Sequence, residues 1–332
     1  MCDEYMKAIH FENKSLALVE RPLPVLGAGE ALLRVRAAGI CTTDIELYQG
    51  YYGFAGIPGH EFVAVVEQAP TRPEFEGARV VCDINIGCGA CDWCKRGDRR
   101  HCPFRKVLGI KGWDGAFAEF VAAPVQNLYL VPDGLSDRQA VFVEPLAAAL
   151  EIGQQVHITN DMRVLVLGDG KLGILIALAL RNLNPRLMLV GKHRDKLDLA
   201  RLLGVHTLLV DGAEDFAELA ADRGAFDLVI EATGRPETVN QALGLLRPEG
   251  TLVLKTTSHA ATQIDMATVV VNELKLLGSR CGDFDLALNY LKSGWIRLDA
   301  LLEAAYPFAQ FEEAFAHARR GALKIVVEME QP

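Results

Sequence analysis

The chain has 332 residues, a length that accommodates about two domains. It is 50% hydrophobic and 23% charged, a globular composition that excludes a disordered or fibrous protein. Thirty-four Lys and Arg against 43 Asp and Glu give a net charge of −9 with no long basic cluster, so neither nucleic acid nor a membrane surface is an expected partner. The longest strongly apolar stretch, Leu172 to Leu180, falls well short of the roughly twenty residues that span a bilayer. The acidic start, Met1-Cys2-Asp3-Glu4-Tyr5, leads into no apolar signal core, and the expected compartment is the cytoplasm.

From Tyr5 to about Glu144, short β-like runs alternate with Gly- and Pro-rich turns. Ala31–Ala37, Phe62–Glu67, Ala78–Asp83 and Ala116–Ala122 predict strands of an antiparallel β-domain. Near residue 145 the texture changes. Apolar runs at Val164–Leu167, Leu187–Val190, Thr207–Val210, Leu228–Ile230, Leu252–Leu254 and Leu274–Leu277 now alternate with helix-length segments. Continuous apolar strands separated by helices predict a parallel sheet covered on both faces, and six of them match a doubly wound dinucleotide-binding domain. Two helices (285–291 and 311–319) and a last strand (324–328) make a tail too short for a domain of its own. The expected organisation is therefore α/β, with 1–146 plus 283–332 as one domain and 147–282 as the other.

The first strand of the second domain ends in Gly168-Asp169-Gly170-Lys171-Leu172-Gly173, a G-x-G-x-x-G between an apolar strand and an apolar helix. In that context Gly168 permits the turn, Gly170 lets backbone approach a pyrophosphate, and Gly173 allows close helix–strand packing. The helix N-terminus then offers free N–H groups to the phosphates. About twenty residues on, where NAD enzymes carry an acid for the adenosine ribose, the chain reads Gly191-Lys192-His193-Arg194. A missing carboxylate followed by cationic side chains predicts a pocket for the 2′-phosphate of NADP(H), favoured over NAD(H).

Four of the eight cysteines, Cys88, Cys91, Cys94 and Cys102, lie in one lobe over residues 86–104. Four thiolates at this spacing can close a tetrahedral shell around Zn²⁺ with no open position, which makes the site structural. A dispersed set, Cys41 with Thr43 and Asp44, His60-Glu61, and Glu144-Pro145-Leu146, is ambiguous residue by residue.

Together with Gly115-Ala116-Phe117-Ala118-Glu119-Phe120 and the glycine fingerprint, these segments occur in the order found in zinc-dependent medium-chain dehydrogenases. The chain resembles the polyol, glucose and threonine dehydrogenase branch of that family over residues 5–330. The resemblance implies a GroES-like catalytic domain before the dinucleotide-binding one. It also implies a second, catalytic zinc held by Cys41, His60 and a carboxylate, either Glu61 or Glu144. Thr43 matches the hydroxyl that starts the family's proton relay, and Glu46 stands where many relatives have a relay histidine. Thr233, Thr256 and Ser279 mark the strand ends near the nicotinamide. The implied activity is hydride transfer between NAD(P) and an alcohol or polyol, or the matching aldehyde or ketone, in a homodimer or homotetramer. Two rival readings are a non-catalytic, cofactor-binding zinc protein and a metal-free reductase; intact ligand sets speak against both. Tyr48, Tyr51, Tyr52, Phe54 and Trp113 are open to two readings: an aromatic wall at the zinc, or ordinary packing.

Overall fold

The computed structural model describes residues 5–210, 212, 219, 226–257 and 262–330. The chain forms two units, Met1–Glu144 with Phe284–Pro332, and Pro145–Asp283.

In the first unit, β1 (Tyr5–Glu12) and β2 (Ser15–Pro22) make an antiparallel ribbon. The central strand β3 (Glu30–Ile40) leads into helix α1 (Thr42–Tyr48), and β4 (Glu61–Gln68) and β5 (Arg79–Cys82) follow. Three short strands, β6 (Asn85–Ile86), β7 (Lys106–Leu108) and β8 (Gly112–Trp113), frame the cysteine lobe as a small sheet. Strands β9 (Phe120–Pro124) and β10 (Leu128–Leu130) return to the main sheet. The stretch from Ala116 gives a strand only from Phe120 onward. Before that the backbone pairs with β1 instead, with Ile9 N–H donating to Phe117 O at 2.8 Å and Glu119 N–H to Lys7 O at 3.0 Å.

In the second unit, after α2 (Val143–Gln155), the strands β11 (Val164–Leu167), β12 (Met188–Gly191), β13 (His206–Leu209), β14 (Phe226–Glu231), β15 (Leu246–Leu254) and β16 (Lys275–Gly278) form one parallel sheet. Its order, β13-β12-β11-β14-β15-β16, has the strand sequence of a doubly wound dinucleotide fold and reverses direction between β11 and β14. Helices α3 (Lys171–Leu180), α4 (Arg194–Leu202), α5 (Thr238–Leu245) and α6 (Met266–Val271) belong to the crossovers. Leu165, Val229 and Leu252 lie in the core of this sheet, fully buried, as strands covered on both faces require.

The tail rejoins the first unit. After α7 (Phe284–Lys292) come β17 (Leu302–Pro307), α8 (Phe311–Arg319) and β18 (Lys324–Glu328). β18 pairs with β3 on one side and β17 on the other, completing the order β10-β5-β4-β3-β18-β17, with β9 also on β3. The last strand thus lies beside the strand that ends just before Cys41. Among the described residues, no helix is long and apolar enough to cross a membrane.

Candidate active site and cofactor turn

Cys41, His60 and Glu61 come together where β3 ends and β4 begins, each offering a ligand atom within 4.8 Å of the others. Asp44, fully buried, explains how the chain holds this geometry. Its carboxylate accepts the Cys41 N–H at 2.8 Å and the Gly59 N–H at 3.3 Å, and lies 3.4 Å from His60 Nδ1. One acid on the first turn of α1 thereby ties down the backbone beside both ligands. Burial alone would push the His60 imidazole down, but Asp44 and Cys41 outweigh it and hold it well above its usual range.

Glu61 is equally buried, and its Oε2 accepts from Lys324 Nζ on β18. Lys324 is also fully buried, with its ammonium 5.2 Å from the Phe142 ring centroid. Sequence reading passed over this lysine. Its one signal is a cation in a strand whose neighbours Ile325, Val326 and Val327 are all core residues.

Glu144 does not join the three-residue cluster. Low-dielectric surroundings raise its carboxyl, His60 opposes that shift, and the Glu61 charge adds to it. Thr43 sits on the first turn of α1, half-buried. Tyr51 and Tyr52 stack at 4.0 Å; burial, the Tyr52 hydroxyl and the nearby Glu46 push the Tyr51 phenol up to about 12. Trp113 Nε1–H donates to Ala122 O at 2.8 Å, and the ring lines a groove with Met6, Ile57 and Phe120 whose lining includes none of the three clustered residues.

The three donors fit zinc. Thiolate, imidazole and carboxylate are the ligand types zinc takes, their donor atoms converge within 4.8 Å, and three protein ligands leave a position open. The second cluster fits as well. Cys88, Cys91, Cys94 and Cys102 also converge within 4.8 Å, and four sulfurs make a closed shell. Backbone N–H groups of Ala90 and Cys91 lower the Cys88 thiol to about 6, while burial raises Cys94 to about 11.

In the second unit the glycine turn has the close approaches its fingerprint requires. Gly168 has φ +114°, a Cβ at Gly173 would lie 1.7 Å from Gly168 O, and Gly170 faces open space. Lys171 and Leu172 open α3 beyond it. Just past the ends of β14 and β15, Thr233 N–H donates to Glu231 Oε1 at 2.8 Å and Gly234 N–H to Thr256 Oγ1 at 2.9 Å. Ser279 Oγ accepts from Lys255 Nζ at 3.2 Å, and the same ammonium donates to the carbonyls of Ala148 and Arg280.

One premise from the sequence needs correction. The end of β12 does have a carboxylate, and it comes from the glycine turn. Asp169, only 5% exposed, reaches beneath Gly191 and accepts the N–H groups of Lys192 at 2.8 Å and His193 at 2.6 Å. It also engages His193 Nδ1 at 2.9 Å. The x position of a G-x-G pattern places no demand on its side chain, so sequence alone gives no sign of this contact.

Comparison with known proteins agrees with this architecture. Residues 27–133 match the alcohol dehydrogenase GroES-like domain, and residues 170–293 match the zinc-binding dehydrogenase domain. The erythritol/L-threitol dehydrogenase of Mycolicibacterium smegmatis is 31% identical over 340 residues, covering 94% of this chain and 93% of its own. The Escherichia coli RspB alcohol dehydrogenase, solved with NADH, superposes with a TM-score of 0.90 at 26% identity over 98% of this chain and 99% of its own. A protein of Sinorhizobium meliloti solved with NADP gives 0.86 at 28% identity, over 98% and 99%. The chain belongs to the zinc-type medium-chain dehydrogenases. Within that family it falls in the polyol branch, as an NAD(P)-dependent oxidoreductase of alcohols.

Proposed function

We propose that this enzyme oxidises a small, uncharged polyol or secondary alcohol, and reduces the matching carbonyl, with one catalytic and one structural zinc per chain. The observation that carries the reading is the convergence of Cys41, His60 and Glu61, backed by Asp44 and Lys324. Those three would hold the catalytic ion, with Glu144 nearby as an alternative carboxylate, and the four cysteines of the lobe would hold the structural one. Zinc, when bound, acidifies a hydroxyl and polarises a carbonyl. The chain's own residues do the rest. Thr43 takes the hydroxyl proton and passes it outward, Asp44 keeps the imidazole oriented, and the turn Gly168–Gly173 seats the cofactor pyrophosphate. Thr233, Thr256 and Ser279 line the nicotinamide half.

NADP(H) is preferred over NAD(H) in this reading. Lys192 and Arg194, which follow Gly191, supply charge-assisted bonds to a 2′-phosphate. Erythritol/L-threitol and sorbitol dehydrogenases among the relatives support a polyol substrate. No Arg or Lys cluster accompanies the catalytic motifs in sequence, which disfavours phosphorylated or carboxylated substrates. The enzyme works in the cytoplasm, where a four-thiolate site stays reduced. It assembles as a homodimer or homotetramer through the edge strand β16 and the neighbouring α6, whose Val270 and Val271 are 68% and 79% exposed. Sedimentation at micromolar concentration checks the assembly, and a stable monomer refutes it. For the activity, purified enzyme is screened with polyols, secondary alcohols and their carbonyls while nicotinamide absorbance is followed. Turnover of an uncharged polyol is expected; turnover confined to phosphorylated or carboxylated substrates overturns the substrate class.

A further inference from the structure

We propose that Asp169 and His193 act as a pair that reads the 2′-position of the cofactor ribose, with His193 making the contact and Asp169 holding its ring. This rests on the reading that the end of β12 receives the adenosine ribose and that a 2′-phosphate is preferred there.

In the common arrangement an acid at the end of the second strand faces the ribose hydroxyls. Here the acid sits on the glycine turn and glycine sits at the strand end. The exchange is steric as well as chemical: a Cβ at Gly191 would lie 2.3 Å from Cβ, Cγ and Oδ2 of Asp169. Asp169 therefore fits only because residue 191 has no side chain. Its carboxylate is also committed. It takes two backbone N–H groups and the His193 Nδ1 while remaining 5% exposed, so it faces the loop and not the solvent side. What the strand end presents outward is the imidazole, whose side chain is 44% exposed. With Nδ1 engaged by the carboxylate, Nε2 is the nitrogen left to meet a ligand. In the doubly protonated ring it donates to a phosphate oxygen, and Lys192 and Arg194 stand on either side in sequence. A carboxylate that fixes a histidine through one nitrogen so that the other acts on a ligand is the logic by which outer carboxylates orient histidines at metal sites.

The probes are two fragments of the cofactor, 2′,5′-ADP and 5′-AMP, whose binding to the zinc-loaded enzyme is measured calorimetrically. Wild type is expected to bind 2′,5′-ADP at least about tenfold more tightly than 5′-AMP, the worth of one well-placed charged contact. His193→Ala should remove most of that preference while 5′-AMP binding stays within about twofold, because the exposed ring has no other role. Asp169→Ala should cost the same 2′-phosphate preference, and the double variant should lose no more than either single one. That non-additivity identifies Asp169 as a residue acting through His193, which a merely structural role would not produce. Because Asp169 also anchors the loop, Tm and zinc content of each variant are recorded, and His193→Ala, a surface change, stands if Asp169→Ala fails to fold. Wild type that binds both fragments equally overturns the NADP reading. A preference that survives His193→Ala, or losses that add in the double variant, overturns the pair while leaving the NADP reading intact.

Discussion

Lys324 and Glu61, 263 positions apart in the chain, form a fully buried ion pair behind the candidate zinc site. The pairing exists because β18 returns to lie beside β3, whose Gly39 faces Glu61 across the β3–β4 ladder. Two desolvated charges stabilise the fold only while both are present; removing one strands the other. Lys324→Met should therefore destabilise the metal-free protein by about 3–5 kcal/mol. The loss should shrink in zinc-loaded protein, where the ion supplies a second counter-charge to Glu61. Lys324→Met/Glu61→Gln should recover part of the stability. Denaturation curves with and without chelator check this, and an unchanged metal-free midpoint in Lys324→Met refutes it.

Metal analysis on protein never exposed to chelator should give two zinc ions per chain. The three-ligand site has an open position and the four-sulfur site does not, so chelation should empty the former first. His60→Ala should abolish turnover while leaving the fold, because it removes a ligand from the open site. Cys94→Ser should lower stability or assembly, because it breaks a closed shell that contributes folding energy. One zinc or none, or normal rates in His60→Ala, would count against the assignment.

With its metal removed, the cysteine lobe should show a graded reactivity. Backbone N–H groups of Ala90 and Cys91 donate to the exposed Cys88 sulfur and stabilise its thiolate, and its pKa falls to about 6. Burial works the other way on Cys94 and raises it to about 11. The thiolate is the nucleophile, so at neutral pH Cys88 should alkylate well before Cys94. The Cys88 rate should fall as pH drops through about 6. Peptide mapping after a short pulse of alkylating reagent measures this, and equal labelling of the two would contradict it. Zinc should protect all four sulfurs.

Much of this architecture was legible because its signals are local. The strand Val164–Leu167, the glycine turn after it and the last strand Lys324–Glu328 all stand where their sequence patterns indicate. Each rests on residues that demand one backbone path: an apolar run, a positive φ at Gly168, a close approach at Gly173. The cysteine lobe was legible by spacing alone. What escaped depends on partners distant in sequence. Nothing near Lys324 announces Glu61, and the run from Ala116 has strand composition but finds β1 before it finds β3. Asp169 escaped for a different reason: the fingerprint constrains its backbone and leaves its side chain unread.

The glycine at the end of β12 is the place where the structure changes the experiment. Judged by sequence, Gly191→Asp simply restores the acid of an NAD enzyme. In the structure its Cβ would lie 2.3 Å from Asp169, and a second carboxylate would be forced against the first. Overpacking at such a tightly packed position costs about 1–3 kcal/mol, and the like charges add to it. Gly191→Asp alone should therefore lower Tm and impair use of both cofactors. Asp169→Gly/Gly191→Asp relieves the clash and turns the acid toward the ribose, where it accepts hydroxyls and repels a 2′-phosphate. The double variant should regain stability and favour NAD(H) over NADP(H), reversing the wild-type order of kcat/KM. Thermal melts and kcat/KM for both cofactors in wild type and the two variants decide the matter. If Gly191→Asp melts like wild type, or if the double variant still favours NADP(H), the exchange of acid and glycine between the two loops does not govern the ribose pocket.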